Sequence, residues 1–226
     1  MEKENLIRPS LLSADFLHLE KDIEEMISLG ITHCHFDVMD GCFVSDISFG
    51  KTIFDAVKKY QDRIIFDVHL MTVSPFNQVY NFAHYGAKEI TFHYEAMSVG
   101  DMIAINNFKK QYPDVILGIA ISPETKVDEI EKILPLFDSV LVMSVIPGKG
   151  GQSYIEGSEK KIARLAKLRK EQSLSYTIGV DGGINATTCK LVVEAGVDYA
   201  VAGSYYFKST DKKACLASLH EENKVL

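Results

Sequence analysis

The sequence predicts a single (β/α)8 barrel, and three observations carry that prediction. Short apolar stretches alternate with helix-patterned ones eight times along 226 residues, the order expected of a parallel sheet wrapped by helices. The joint between helix and strand repeats: Ser28-Leu29-Gly30-Ile31, His84-Tyr85-Gly86-Ala87 and Glu194-Ala195-Gly196-Val197 each read as a helix end, a glycine cap and a strand start. No shift in composition marks a linker, so residues 1–226 are taken as one domain. A doubly wound sheet is the competing arrangement, but no nucleotide-type glycine fingerprint follows the first strand.

The elements follow in order. Ile7–Leu12 is a short strand, with Pro9 tolerated near its start. Ser13-Ala14-Asp15 offers an N-cap for a helix over Phe16–Leu29, whose apolar residues Phe16, Leu19, Ile23, Met26 and Ile27 have helical spacing. His33–Val38 is a strand running into the Asp40-Gly41 turn. Thr52–Tyr60 is a helix, and Ile64–Leu70 is a strand apolar enough to be buried on both faces. Ser74-Pro75 opens a helix to Tyr85. Glu89–His93, Val115–Ile121, Ser139–Ser144, Tyr176–Val180 and Tyr199–Ala202 are strands. Asp101–Tyr112, Lys126–Leu134, a basic helix ending near Lys170, Thr187–Ala195 and Lys212–Asn223 are helices. A glycine-rich loop spans Ile146–Gly157.

Composition narrows the function classes. A hydrophobic share of 46% and a charged share of 24% suit a globular core. A net charge of -7 argues against nucleic acid and against an anionic membrane as partners. Cys34, Cys42, Cys189 and Cys215 show no CxxC spacing and read as reduced thiols rather than a disulfide framework. With a polar N-terminal stretch and no apolar run of membrane-spanning length, the expectation is a cytoplasmic protein.

The chemistry gathers at strand ends. His35 and Asp37 are two apart on one strand and so project from the same face. His69 lies late in the next strand, and Asp181 ends the seventh. In a barrel, C-terminal strand ends form the site, and four groups distant in sequence converge there. Two imidazoles and two carboxylates suit Zn²⁺, Fe²⁺, Mn²⁺ or Co²⁺. Carboxylates on opposite walls could also take a proton from one face of a carbon and return one to the other. Taken singly, each of these residues is as easily a hydrogen-bonded structural group or a turn residue; their joint placement is what points to a site. Three consecutive loops, Pro147-Gly148-Lys149-Gly150-Gly151-Gln152, Asp181-Gly182-Gly183 and Ala202-Gly203-Ser204, carry glycines that let backbone N–H groups approach an anion. Barrels of this type frequently hold phosphate on the last two such loops. Met39, Met71 and Met143 close strands and either fill core or line a pocket floor. His93 and Glu95 either support the site or are plain loop polar groups, His18, His33 and His84 read as structural or surface groups, and the Lys160–Lys170 helix reads as a solvated face.

These segments resemble the ribulose-phosphate 3-epimerases and their relatives, the allulose-6-phosphate 3-epimerases, over essentially the whole chain. The matching motifs are Pro9-Ser10-Leu11-Leu12-Ser13-Ala14-Asp15-Phe16, His35-Phe36-Asp37-Val38-Met39-Asp40-Gly41, Asp67-Val68-His69-Leu70-Met71, Thr91-Phe92-His93-Tyr94-Glu95, Val142-Met143-Ser144-Val145 with Pro147-Gly148, Gly150-Gly151-Gln152, Val180-Asp181-Gly182-Gly183 and Val201-Ala202-Gly203-Ser204. The resemblance implies one divalent metal ion, most often zinc, on His35, Asp37, His69 and Asp181, with Asp37 and Asp181 as the acid/base pair. It implies substrate contacts from Ser10, Met39, His69, Met71 and Met143. Gly148, Gly150, Gly151, Gly182, Gly183, Gly203 and Ser204 would hold the phosphate. The implied reaction is D-ribulose 5-phosphate to D-xylulose 5-phosphate in the pentose phosphate pathway, by a dimer or hexamer. Two loops depart from the family pattern. Ser45-Asp46 stands where Pro-Asn is usual, and Lys149 takes an aromatic position. A hexulose phosphate substrate, a sugar-phosphate-binding barrel without turnover, and a metal-free barrel isomerase or aldolase are the alternatives. The last would need a catalytic Lys at a strand end, and none is present there.

Overall fold

The computed structural model describes residues 6–98 and 100–221. Its eight strands are β1 (Ile7–Pro9), β2 (His33–Met39), β3 (Ile65–Met71), β4 (Glu89–His93), β5 (Ile116–Ile121), β6 (Ser139–Met143), β7 (Thr177–Asp181) and β8 (Tyr199–Ala202). All pair in parallel, in the order β1-β8-β7-β6-β5-β4-β3-β2. A single parallel bridge from Ser10 to His35 joins the two ends. The arrangement is the (β/α)8 barrel that the alternating pattern predicts.

The helices are α1 (Leu19–Ser28), α2 (Lys51–Val57), α3 (Pro75–Tyr85), α4 (Asp101–Gln111), α5 (Val127–Ile130), α6 (Ser158–Glu171), α7 (Ala186–Glu194), α8 (Ser204–Phe207) and α9 (Lys212–Glu221). Three of the boundaries that differ from the sequence expectation do so for local reasons. β1 stops at Pro9 because the Ser10 hydroxyl accepts from Leu12 N–H and starts a 3-10 turn over Leu11–Ser13. α1 starts at Leu19, not Phe16, because the Asp15 carboxylate engages Leu17 N–H and the His18 ring in a turn of its own. The segment expected as one helix over Lys126–Leu134 is α for one turn and then 3-10 from Glu131 to Leu136. Pro135 sits where a continued α-helix would press its ring against the Glu131 carbonyl. The short α8, directly after β8, was not expected. The expected end of the last helix at Asn223 lies outside the described residues.

Alternation along the strands sorts side chains into two cores. Outward residues such as Phe36, Phe66, Val68, Ile90, Ile119 and Val140 pack under the helices and are fully buried. Phe36, Phe54, Phe66 and Phe82 meet edge to face, with ring centroids 5.4–6.5 Å apart. Inward residues form a second, unlike core. Around β1–β4 it holds Arg8, His33, His35, Asp37, Asp67, His69, Glu89, Thr91 and His93, while around β5–β8 it holds Ala120, Leu141, Met143, Tyr199 and Val201. Two inward glycines make room for neighbours. A Cβ at Gly118 would meet Thr91 Oγ1 at 2.4 Å, and one at Gly179 would meet the Tyr199 ring at 2.2 Å.

Pro9 shapes the closure of the barrel. Ser10 donates its N–H to Ala202 of β8 at 3.3 Å. Adjacent N–H groups of a strand face opposite neighbours, so the position facing β2 falls to Pro9, which has none to give. Side chains reinforce the single Ser10–His35 bridge between β1 and β2. The Cys34 thiol contacts Pro9 O at 3.2 Å, and the Ser10 hydroxyl donates to Asp37 Oδ2 at 2.6 Å. The four cysteines are free; Cys34, Cys189 and Cys215 are buried and Cys42 is exposed. Among the described residues no helix is long and apolar enough to cross a membrane.

Candidate metal and acid/base site

The register of β2 on β3 places Asp37 beside His69 and His35 beside Asp67. With Asp181 closing β7, the barrel brings His35, Asp37, His69 and Asp181 together, one ligand atom of each lying within 4.8 Å of all the others. His35 Nε2 stands 3.3 Å from Asp37 Oδ1 and 3.7 Å from Asp181 Oδ2. His69 Nδ1 stands 3.3 Å from Asp37 Oδ1, 3.8 Å from Asp181 Oδ2 and 3.2 Å from His35 Nε2. Ligands about 2.0–2.1 Å from a tetrahedral ion are about 3.3 Å apart by geometry. The observed separations bracket that spacing, and the mixed nitrogen and oxygen set suits a divalent ion. These four residues could hold one.

Both imidazoles are oriented from behind. His35 Nδ1 donates to Asp67 Oδ2 at 3.1 Å, which turns Nε2 toward the other three groups. His69 Nε2 lies 2.9 Å from His93 Nε2, and His93 Nδ1 donates to Glu95 Oε2 at 3.0 Å. Glu95 is anchored in turn by the Ser122 N–H at 2.8 Å and the Thr125 hydroxyl. Phe43 tilts over the His93 ring, with centroids 4.8 Å apart. His93 and Glu95 are thus supports of His69, one of the two roles the sequence allowed them.

Electrostatics follow from burial among these groups. Burial opposes charge on His35, yet the Asp37 and Asp67 carboxylates outweigh it and lift the imidazole well above its ordinary pKa. Burial also opposes charge on Asp37, but His35 and His69 hold it far below the carboxylate range. Asp181 goes the other way. Burial, reinforced by Asp37 and Asp67, pushes it up to about 7 against the pull of His35. Burial, together with nearby His35, lowers His69. Two chemically identical carboxyls a few ångströms apart are therefore pushed in opposite directions.

Above this group opens a cavity of about 940 Å³. Its lining includes Ser10, Asp37, Met39, Met71, Met143, Asp181 and all six glycines named from the sequence, Gly148, Gly150, Gly151, Gly182, Gly183 and Gly203, with Ser204. His35 and His69 are fully buried beneath it and are not part of the lining. The loops are held in place by few, specific contacts. The Ser144 hydroxyl reaches the Gly182 carbonyl at 2.7 Å and the Asp181 carbonyl at 3.0 Å. Asp40 accepts from Cys42 and Phe43 N–H with one oxygen and from Val73 N–H with the other, tying the β2 and β3 loops together. Gly183 has φ +65°, and a Cβ there would come within 2.3 Å of Tyr154 N, so this position requires glycine. Lys149 also lines the cavity.

Five functional groups escaped the sequence reading. Arg8, Asp67 and Glu89 form a buried network below His35, and His33, read as structural or surface, joins it through Glu89. Buried charge inside a strand is the signal that would have found Asp67. Lys161, read with its helix as a solvated face, instead donates to the carbonyls of Ser122, Pro123 and Thr125 at 2.6–2.9 Å, pinning the turn that carries the Glu95 anchors.

Comparison with known proteins agrees with the motifs. Residues 6–207 match the model of the ribulose-phosphate 3-epimerase family. The chain is 38% identical over 210 residues to ribulose-phosphate 3-epimerase of Treponema pallidum, covering 93% of this chain and 94% of that protein. It is 37% identical over 214 residues to the enzyme of the same name from Bacillus subtilis, covering 94% and 97%. Among solved structures, 3-hexulose-6-phosphate synthase from Salmonella typhimurium superposes with a TM-score of 0.67 at 14% identity, covering 96% of this chain and 97% of that one. That last likeness speaks for the fold alone. By motif, fold and identity across nearly its whole length, the chain belongs to the ribulose-phosphate 3-epimerase family, a family of isomerases.

Proposed function

We propose that the protein interconverts D-ribulose 5-phosphate and D-xylulose 5-phosphate by moving a proton at C3, with one divalent ion, zinc first among the candidates, on His35, Asp37, His69 and Asp181. The observation that carries this reading is the pair of carboxylates, Asp37 on β2 and Asp181 on β7, facing one ion-sized space at the cavity floor. In one direction a carboxylate removes the C3 proton, and the C–H electron pair moves into a C2–C3 double bond while negative charge develops on the C2 oxygen. The other carboxyl then returns a proton to the opposite face of C3. In the reverse direction the two exchange roles, as microscopic reversibility requires. When bound, the ion supplies positive charge beside the developing oxyanion. The Ser10 hydroxyl, donating to Asp37 Oδ2 at 2.6 Å, aims that carboxylate.

The remaining roles follow the lining. Met39, Met71 and Met143 offer a polarisable apolar floor under the reacting carbons. Gly148, Gly150, Gly151, Gly182, Gly183, Gly203 and Ser204 present backbone around the phosphate. His69, fully buried beneath the cavity, would hold the ion rather than touch the sugar.

Proton NMR of D-ribulose 5-phosphate in D₂O with metal-supplemented protein tests the reading. Deuterium entry at C3 together with xylulose 5-phosphate is the expected result. Folded, metal-loaded protein that gives neither would overturn it. Turnover of allulose 6-phosphate alone would transfer the same chemistry to a hexulose. Binding without exchange would favour a barrel that holds sugar phosphate and does not turn it over.

A further inference from the structure

Below the site, on the side away from the cavity, Arg8 sits inside the barrel, 8% exposed. It is the one buried Lys or Arg among the described residues. Its Nη1 lies 3.0 Å from Asp67 Oδ2 and 2.5 Å from Glu89 Oε2. The same Asp67 oxygen accepts from His35 Nδ1 at 3.1 Å. The guanidinium is itself clamped. Tyr199 covers its face, with the ring centroid 3.7 Å from Cζ, and His33 Nε2 holds the far oxygen of Glu89 at 3.1 Å. A continuous chain therefore runs His33, Glu89, Arg8, Asp67, His35 and ends on a candidate ligand.

We propose that Arg8 is a positioning residue for the metal centre: it fixes the Asp67 carboxylate, which fixes the His35 ring with Nε2 turned to the other three donors. The proposal rests on reading the four-residue group as a metal site. Stability alone is a poor account of this arrangement. Buried ion pairs seldom outperform well-packed apolar residues, and Arg8 Nε is buried with no hydrogen-bond partner among the described residues. Placement accounts for it better. A carboxylate held only by one imidazole can swing about its Cβ–Cγ bond; one bridged on a single oxygen between a clamped guanidinium and an imidazole cannot. Supporting groups of this kind typically change metal affinity by about ten- to a hundredfold when removed.

Cobalt(II) provides the probe, through its dissociation constant by chelator competition and its visible absorption when bound. In the 226-residue chain, Arg8→Met is expected to weaken Co²⁺ binding by about ten- to a hundredfold and to alter the band shape. Arg8→Lys, which keeps the charge and loses the planar fork, is expected to fall between. In an Asp67→Asn background, Arg8→Lys is expected to change Co²⁺ affinity by less than about twofold, because its route to His35 is already cut. Folded Arg8 variants with parental affinity and spectrum would overturn the proposal, as would an undiminished Arg8→Lys effect in the Asp67→Asn background. Should Arg8→Met not fold, the Arg8→Lys and Asp67→Asn cycle decides alone. A parent protein that binds no Co²⁺ would instead remove the metal reading itself, and the proposal with it.

Discussion

From β1 to β4 the barrel's inward positions carry an arginine, four histidines and three acids; from β5 to β8 they carry glycine, alanine, leucine, methionine, tyrosine and valine, with Asp181 the lone acid. The two halves share one backbone geometry and one strand period. What differs is how each inward side chain is satisfied. In the polar half every imidazole has a hydrogen-bonding partner among its neighbours, so a change propagates along hydrogen bonds. In the apolar half, shape sets the limits, and glycines at 118 and 179 yield space to Thr91 and Tyr199. Asp181 stands against apolar walls with its charge disfavoured, while Asp37 stands among imidazoles that favour it. Chemistry is thus concentrated at the border between the halves.

The sharpest way to break this comparison is to remove the lone acid of the apolar half. Asp181→Asn is expected to lower C3 deuterium exchange and epimerisation by about 10²–10⁴-fold, while calorimetric titration with ribulose 5-phosphate still shows binding. Near-normal turnover would end the two-carboxylate mechanism. Chelation separates the halves next. Stripping divalent ions is expected to abolish exchange and Zn²⁺ or Mn²⁺ to restore it, with inorganic phosphate binding measurably retained throughout. Loss of both together would mean that the two halves are not independent. A subtler cut is Gly183→Ala, which forces a Cβ against Tyr154 N at 2.3 Å. Its expected signature is a KM raised about tenfold, the loss of roughly one good hydrogen bond to a charged group, with Co²⁺ affinity unchanged. The smallest effect belongs to Gly179→Ala, where packing against Tyr199 alone is disturbed. Denaturant unfolding should show a loss of about 1–3 kcal/mol, and unchanged stability would contradict the claim that shape sets the limits in this half.

Much of this was legible beforehand because it rests on local periods. Strand alternation placed His35 with Asp37, and the barrel rule carried His69 and Asp181 to the same end. The glycine loops were legible for the same reason, as runs within single segments. What escaped depended on long-range partners. Arg8 lies next to Pro9 in a strand of three residues, and its partners Asp67 and Glu89 are 59 and 81 positions away. Lys161 sits among Lys160, Lys167 and Lys170, and nothing local marks it as the one reaching three carbonyls. Pro135 was in plain view, and its effect on the preceding turn could have been read from the ring's clash alone.

The missing N–H of Pro9 has a consequence for opening and closing of the barrel. The join between β1 and β2 is its least hydrogen-bonded seam, so amide exchange by local opening should begin there. Going round the sheet, Asp181 lies on one side of that seam and Asp37 on the other. Any ligand that bridges the two acids therefore spans the break and acts as a clasp on it. Occupancy of the site and closure of the ring become a single linked equilibrium, read as slower exchange at the β2 edge and a higher melting temperature.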